Sequence, residues 1–212
     1  MSRARLEIFS DAVLAVAITL LALDLVVKGP GNGSLASLLF HEWPALAAYV
    51  ISFFTIGIVW VNHHALLSNV ELVDRSLLFF NLVLLLFVVL IPDATRLLAA
   101  YLPGGGRGAQ IAAVVYGVVV EGMSIGFILM VEWMFRSEWT EPSIPVDRRW
   151  ASRRRYYLAP LLYLSSIGLA FVYPVTALIL SAIVDIYYAF EQTPLRARGV
   201  ARPDVAEDDM DE

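Results

Sequence analysis

The sequence contains no cysteine among its 212 residues, which excludes disulfide frameworks, thiolate metal sites and cysteine nucleophiles. Charged residues are also scarce, at 17% of the chain against about 25% in an average soluble domain. Hydrophobic residues reach 59%, compared with about 45–50% in soluble proteins. These proportions exclude an ordinary soluble domain.

Enzyme motifs are missing as well. His-Glu-x-x-His, Gly-x-Ser-x-Gly and an intramembrane aspartate pair spaced like a protease dyad are all absent, so we expect neither an enzyme nor a bound cofactor or metal. His63 and His64 are adjacent and lie about 100° apart on a helix, which disfavours a shared metal. A nucleic-acid partner is not expected either, because no basic stripe lies on a soluble domain.

Long apolar runs indicate membrane-spanning helices. A hydrocarbon core of about 30 Å requires about 20 apolar helical residues. The candidate spans are residues 9–27, 43–67, 77–91, 109–135, 156–173 and 174–190. The last two form one apolar stretch that Pro174 divides, because proline removes a backbone donor and clashes with the preceding turn. We predict an all-α integral membrane protein, with six transmembrane helices within residues 1–192.

The basic residues on the predicted connections indicate the orientation. With six spans and a cytoplasmic N terminus, twelve basic residues lie inside and three lie outside. This bias predicts that both termini lie in the cytoplasm. We expect a multi-pass protein of the plasma membrane. Residues 193–212 contain two prolines and most of the excess acidic charge, which predicts a disordered cytoplasmic tail.

The first predicted span begins with polar residues. Arg5, Phe9, Ser10 and Asp11 lie at the inner edge of the membrane, where a carboxylate costs free energy unless it is paired. One interpretation is that Arg5 and Asp11 anchor the helix at the interface. The other is a polar network between this helix and its neighbours. The candidate partners in that network are Trp60, His63, His64 and Asn81.

An aliphatic stripe follows on the same helix. Val16, Leu20 and Leu23 recur at i, i+4 and i+7 and therefore share one face. A membrane helix is apolar all round, so periodicity alone favours a lipid-facing or packed stripe over a pore lining. Thr19 carries a hydroxyl in the middle of the span, and the ordinary role of such a hydroxyl is a bond to its own backbone.

Two patterns in the first two spans are distinctive. The first is Arg5-x-x-x-Phe9-Ser10-Asp11, and the second is Tyr49-x-x-Ser52-Phe53-x-x-Ile56-Gly57-x-x-Trp60-x-x-His63-His64. They resemble the signatures of the transmembrane protein 175 family, which comprises the lysosomal potassium channels and their prokaryotic relatives. Asn81 and Pro92 lie where the third helix of that family has such residues. The resemblance covers spans four to six only through span count and topology.

This resemblance implies a homotetrameric, potassium-selective, leak-like cation channel. In that family the first helix of each subunit lines a central pore, and rings of bulky aliphatic side chains provide selectivity. At the corresponding positions of this chain, the resemblance implies that the pore residues are Val16, Thr19, Leu20 and Leu23. Val16 is smaller than the isoleucine or leucine usual at its layer. The implied partners are potassium ions, the lipid bilayer and further copies of the chain.

The resemblance also implies that a polar network ties the first helix to the second and third. Its members in this chain are Arg5, Phe9, Ser10, Asp11, Trp60, His63, His64 and Asn81. Asp24 lies at the outer end of the stripe, where it either attracts cations to the pore mouth or is a solvated interfacial acid.

The physical basis of such a pore differs from that of a carbonyl filter. Sodium holds its hydration shell more tightly than potassium, so a narrow apolar passage favours potassium. A carbonyl filter requires a re-entrant loop with a Thr-Val-Gly-Tyr-Gly-like run, which is absent, and Val115-Tyr116-Gly117 lies inside the fourth span.

Two other functions are compatible with the sequence. One is a proton-coupled secondary transporter, for which inverted repeats and broken helices would be expected. Its relay residues would be Asp11, His63, His64, Glu121 or Asp185. The other is a scaffold protein that transports nothing.

Overall fold

The computed structural model describes residues 2–23, 43–70, 72–136 and 156–189. These residues form an all-α fold with six helices, as the sequence predicts. In chain order the helices are α1 Arg3–Leu23, α2 Trp43–Leu67, α3 Arg75–Tyr101, α4 Gly106–Arg136, α5 Leu158–Ala170 and α6 Pro174–Ala189. Asp24, the end of the first predicted span and the acidic tail lie outside the described residues.

Helices α1 to α4 are long and apolar enough to cross a membrane, with mean hydropathies of 2.0 to 2.5 in their most apolar windows. Helices α5 and α6 contain 13 and 16 residues, fewer than the roughly 20 that a full crossing requires. Pro174 is the first residue of α6, a position where its missing N–H costs no helical hydrogen bond. The crossing of the membrane by α5 and α6 stays a prediction.

Helix α3 extends well beyond the end that the sequence predicts. We expected the third span to end at Ile91, but the helix passes through Pro92 and continues to Tyr101. A proline within a membrane helix is tolerated where neighbouring helices and hydroxyl side chains support the backbone. Both Ile91 and Pro92 are buried, and Thr95 Oγ1 donates to the Ile91 carbonyl at 2.8 Å.

Close packing of α3 against α4 forms the centre of the bundle. A Cβ at Gly126 would lie 2.7 Å from the backbone of Leu84, and one at Gly122 would lie 2.2 Å from the ring of Phe87. A larger residue at Gly126 would therefore push the helices apart, whereas one at Gly122 would first displace the Phe87 ring. Small residues four apart allow this kind of approach between membrane helices.

The remaining helices surround this pair. Helix α1 packs against α2 and α3, and α6 packs against α2, α4 and α5. Ser166 of α5 donates to the Ala177 carbonyl of α6 at 2.7 Å, and its hydroxyl lies 3.1 Å from that of Ser181. Helix α1 therefore has one face against the bundle and one face free.

Candidate functional site

The two faces of α1 differ sharply in exposure. The buried residues of this helix are Leu6, Ser10, Leu14, Ala17 and Leu21. The aliphatic stripe lies on the opposite side, where Val16 is 57%, Leu20 40% and Leu23 71% exposed. One subunit therefore leaves a continuous apolar row uncovered.

Thr19 lies beside this stripe and is exposed. Its Oγ1 donates to the carbonyl of Val16 at 2.8 Å, which is the backbone bond that the sequence suggests. The hydroxyl hydrogen is used in this bond, so the oxygen lone pairs face away from the helix backbone.

A buried polar contact joins α1, α2 and α3. Asn81 of α3 is fully buried, and its Oδ1 accepts a hydrogen bond from Ser10 Oγ of α1 at 3.2 Å. The same oxygen lies 2.8 Å from His63 Nε2 of α2. Because an amide oxygen only accepts, His63 donates from Nε2 in this arrangement. Asn81 Nδ2 is buried and has no partner among the described residues.

A second contact joins α1 and α2 nearer the surface. Trp60 Nε1 donates to Asp11 Oδ1 at 2.9 Å, at an exposed position. The His64 ring lies 6.5 Å from the Trp60 ring. His64 is exposed whereas His63 is buried, so the adjacent histidines face different surroundings.

Not every predicted network residue joins these contacts. Arg5 and Phe9 are exposed on α1, and neither side chain forms a hydrogen bond or an ion pair with the described residues, so their part in the network stays a prediction. Arg3 is the arginine that ties α1 to the bundle. It donates to the carbonyls of Ser68 at 3.2 Å and Val70 at 3.5 Å. Sequence reasoning missed Arg3 because it lies outside the signature.

A separate polar group surrounds Asp185 of α6. This carboxylate is 6% exposed, and it accepts hydrogen bonds from Thr55 Oγ1 at 2.5 Å and Tyr163 OH at 2.7 Å. The sequence offers Asp185 only as a possible relay residue of a proton-coupled transporter. It does not indicate Thr55, which lies 130 positions away along the chain, because single hydroxyls in apolar helices carry no recognisable pattern.

A third polar group lies where Ser52 meets α3 and α4. Ser52 Oγ lies 2.7 Å from Thr95 Oγ1 and donates to Tyr116 OH at 3.2 Å. Tyr116 and Gly117 both lie inside α4, and a Cβ at Gly117 would lie 2.7 Å from the Ile167 side chain. The Val-Tyr-Gly run is therefore a helix-packing segment and not a filter loop.

The chain is similar to known channels. Residues 5–92 match the family described as endosomal/lysosomal potassium channel TMEM175. A potassium channel of Streptomyces collinus is 41% identical over 201 residues, which cover 94% of this chain and 97% of that protein. The human endosomal/lysosomal proton channel TMEM175 is 36% identical over 110 residues, which cover 48% of this chain and 22% of that protein.

A solved structure is similar over nearly the whole fold. The crystal structure of a lysosomal potassium-selective channel TMEM175 homologue from Chamaesiphon minutus matches with a TM-score of 0.77 and 31% identity. The match covers 91% of this chain and 98% of that one. The matched proteins are channels and not enzymes.

Proposed function

This chain belongs to the TMEM175 family of channels, and from that membership we propose that it forms a potassium-selective, leak-like cation channel. The family assignment confirms the resemblance seen in the sequence. Potassium is the proposed ion because the Streptomyces collinus relative is a potassium channel and the Chamaesiphon minutus homologue is potassium-selective. The chain is a multi-pass membrane protein.

The exposed row on α1 carries this proposal. Val16, Leu20 and Leu23 are uncovered in one subunit while the opposite face of α1 is buried in the bundle. Cyclic symmetry places four copies of each residue around one axis when four subunits assemble. We therefore propose a homotetramer whose central pore is lined by α1.

Selectivity in this pore would come from dehydration and not from carbonyl ligands. Rings of Leu20 and Leu23 form an apolar constriction, which penalises the ion that holds its water more tightly. Thr19 adds a ring of hydroxyl oxygens between the Val16 and Leu20 layers. Their hydrogens are already donated to the Val16 carbonyls, so the lone pairs are available to a passing cation. Val16 forms a wider ring than isoleucine or leucine would.

The buried contact at Asn81 and the Trp60–Asp11 bond support a positioning role for the polar network. The first fixes α1 against α2 and α3, and the second fixes α1 against α2, both near the end where α1 begins. Arg3, Arg75 and Arg136 lie at this same end of the bundle. By the positive-inside rule, it is the cytoplasmic end, in the plasma membrane, with both termini on that side.

A reversal-potential measurement tests this function. The purified protein is reconstituted in a planar bilayer with potassium on one side and sodium on the other. We expect a reversal potential close to the potassium equilibrium value. A silent bilayer from well-assembled protein, with uptake only under a proton gradient, would contradict the channel and favour the proton-coupled transporter.

A further inference from the structure

A cavity of about 50 Å³ lies among α2, α4, α5 and α6, away from the exposed row of α1. Its polar lining residues are Thr55, Asn62, Ser124, Tyr163, Asp185 and Tyr188. A buried water needs about 10–15 Å³ of such volume, together with two to four polar partners. The cavity has room for about three to five waters, and because most of its accessible surface is apolar, their hydrogen-bond partners are limited to these few side chains.

The cavity is confined to one half of the bundle. Its lining residues on α2 fall between 55 and 62, in the second half of that helix, and those on α4 fall between 123 and 128, also in the second half. Those on α5 lie at its start, and those on α6 lie in its last two turns. All four segments are nearest the end of the bundle where α1 begins.

Asp185 lies at the deep end of this cavity. Thr55, its hydrogen-bond partner, is about 10 Å deeper along α2 than Asn62, at a rise of 1.5 Å per residue. Beyond Thr55 the interior is closed by the hydrogen-bonded hydroxyls of Ser52, Thr95 and Tyr116, all of which are buried. The residues that line the cavity therefore lie on the side of these hydroxyls where α1 begins.

Among the residues that the structure describes, none acts as a counter-ion for Asp185. The titratable groups that face it are Tyr163 of α5, Tyr116 of α4 and Tyr188 of α6, and α2 presents the neutral Thr55 and Asn62. No basic side chain within the described ranges forms an ion pair with Asp185. A carboxylate at this depth without a cation is costly, and a proton taken up from water removes that charge.

We propose that this cavity is a water-filled proton-binding site in which Asp185 exchanges a proton with the side of the membrane where α1 begins. A hydronium ion in the cavity transfers its proton to a carboxylate oxygen of Asp185. The products are a neutral carboxylic acid and a neutral water, and no further reactant is needed. The site lies inside each subunit and is separate from the proposed pore.

Protonation would change how α6 is tied to α2. The ionised carboxylate accepts from both Thr55 and Tyr163, whereas the protonated group has one oxygen that donates. Thr55 Oγ1 also lies 2.9 Å from the Ile51 carbonyl of its own helix. The Thr55 hydroxyl can therefore donate to this carbonyl while its oxygen accepts from the protonated carboxyl group, which reverses the direction of the hydrogen bond between the two helices.

Infrared difference spectroscopy tests the site on the full-length protein in lipid nanodiscs. Spectra at two pH values should show a carboxylic-acid C=O band that grows as the pH is lowered. Asp185→Asn should remove this band. Asp93→Asn is the matched control, since Asp93 is exposed and paired with Arg96, and it should leave the band unchanged. A band that persists in Asp185→Asn, or no band in the wild type, would overturn the proposal.

A second variant keeps the test informative if Asp185→Asn fails to fold. Tyr163→Phe retains the carboxyl group but removes one of its hydrogen bonds, so it should shift the frequency of the band. An unshifted band would show that another carboxyl group responds. A band that follows the sodium or potassium concentration at constant pH would identify the occupant as a metal cation, which would also overturn the proposal.

Access through the cavity can be tested by filling it. Ser124→Leu occupies the lining of the cavity and should slow the hydrogen–deuterium exchange of the Asp185 band several-fold. Val118→Leu, at an exposed position of the same helix, should not. Equal exchange rates would exclude this route. The readout does not depend on ion conduction, so its failure is distinguishable from failure of the proposed channel function.

Discussion

Replacing Asn81 with leucine should destabilise the subunit far more than breaking the neighbouring surface contact. Asn81 is fully buried and is bonded to both Ser10 and His63. Leucine fills a similar volume but makes neither hydrogen bond. The replacement also leaves a hydroxyl and an imidazole N–H without their partner in the interior.

The magnitude follows from the two lost contacts. Hydrogen bonds between membrane helices are worth about 0.6 kcal/mol on average, and a buried group left without a partner costs about 1–3 kcal/mol. Two groups are left unpaired at no less than about 1 kcal/mol each, so we expect Asn81→Leu to lower the free energy of unfolding by at least about 2 kcal/mol per subunit. A loss of about 2 kcal/mol lowers the folding equilibrium constant roughly thirtyfold.

The assay is equilibrium unfolding of the purified protein in mixed micelles with increasing denaturing detergent. Trp60→Phe is the control, because it removes only the exposed bond to Asp11, and such a change should cost about 0.6 kcal/mol or less. Equal losses in the two variants would refute the reasoning. So would an Asn81→Leu protein as stable as the wild type.

Three further outcomes follow from the structure. Leu20→Asn should raise conductance and reduce the discrimination of potassium over sodium, because a polar ring hydrates the constriction. The control is Leu86→Asn, at an exposed position of α3, which should leave the reversal potential unchanged. An unchanged reversal potential in Leu20→Asn as well would exclude Leu20 from the filter. Asp11→Asn should lower the yield of assembled tetramer in size-exclusion chromatography more than it shifts the reversal potential, and the opposite result would place Asp11 in the pore. Gly126→Val should abolish the folded protein, because the new side chain would meet the backbone of Leu84 at 2.7 Å; a native-like unfolding curve would contradict the close packing of α3 and α4.

The helices were largely predictable from the sequence because apolar runs and span length are strong signals. Helix α2 occupies residues 43–67, the same range as its predicted span. The end of α3 was not predictable, since Pro92 is a helix breaker by local rules and only burial against neighbouring helices overrides it. Local sequence cannot show that burial.

The polar contacts were predictable only where a signature marked them. Ser10, Asp11 and Asn81 belong to recognisable patterns, and the structure places them in contacts between helices. Thr55 and Tyr163 belong to none, and they meet Asp185 only because α2, α5 and α6 converge in the fold. A pairing between distant helices leaves no trace in a single sequence when its members are ordinary hydroxyls.

The polar contact at Ser10 also accounts for how α1 presents a defined face to the proposed pore axis. Leu20, Leu21 and Leu23 surround the helix on several sides, so apolar contacts alone distinguish poorly between rotations about its axis. A rotation of about 100° would exchange Leu20 for Leu21 at little cost in buried apolar surface. The same rotation would take Ser10 away from Asn81 and leave buried polar groups without partners. A single buried polar contact can fix the register of packed helices in this way, so the polar start of α1 determines which aliphatic residues form the stripe.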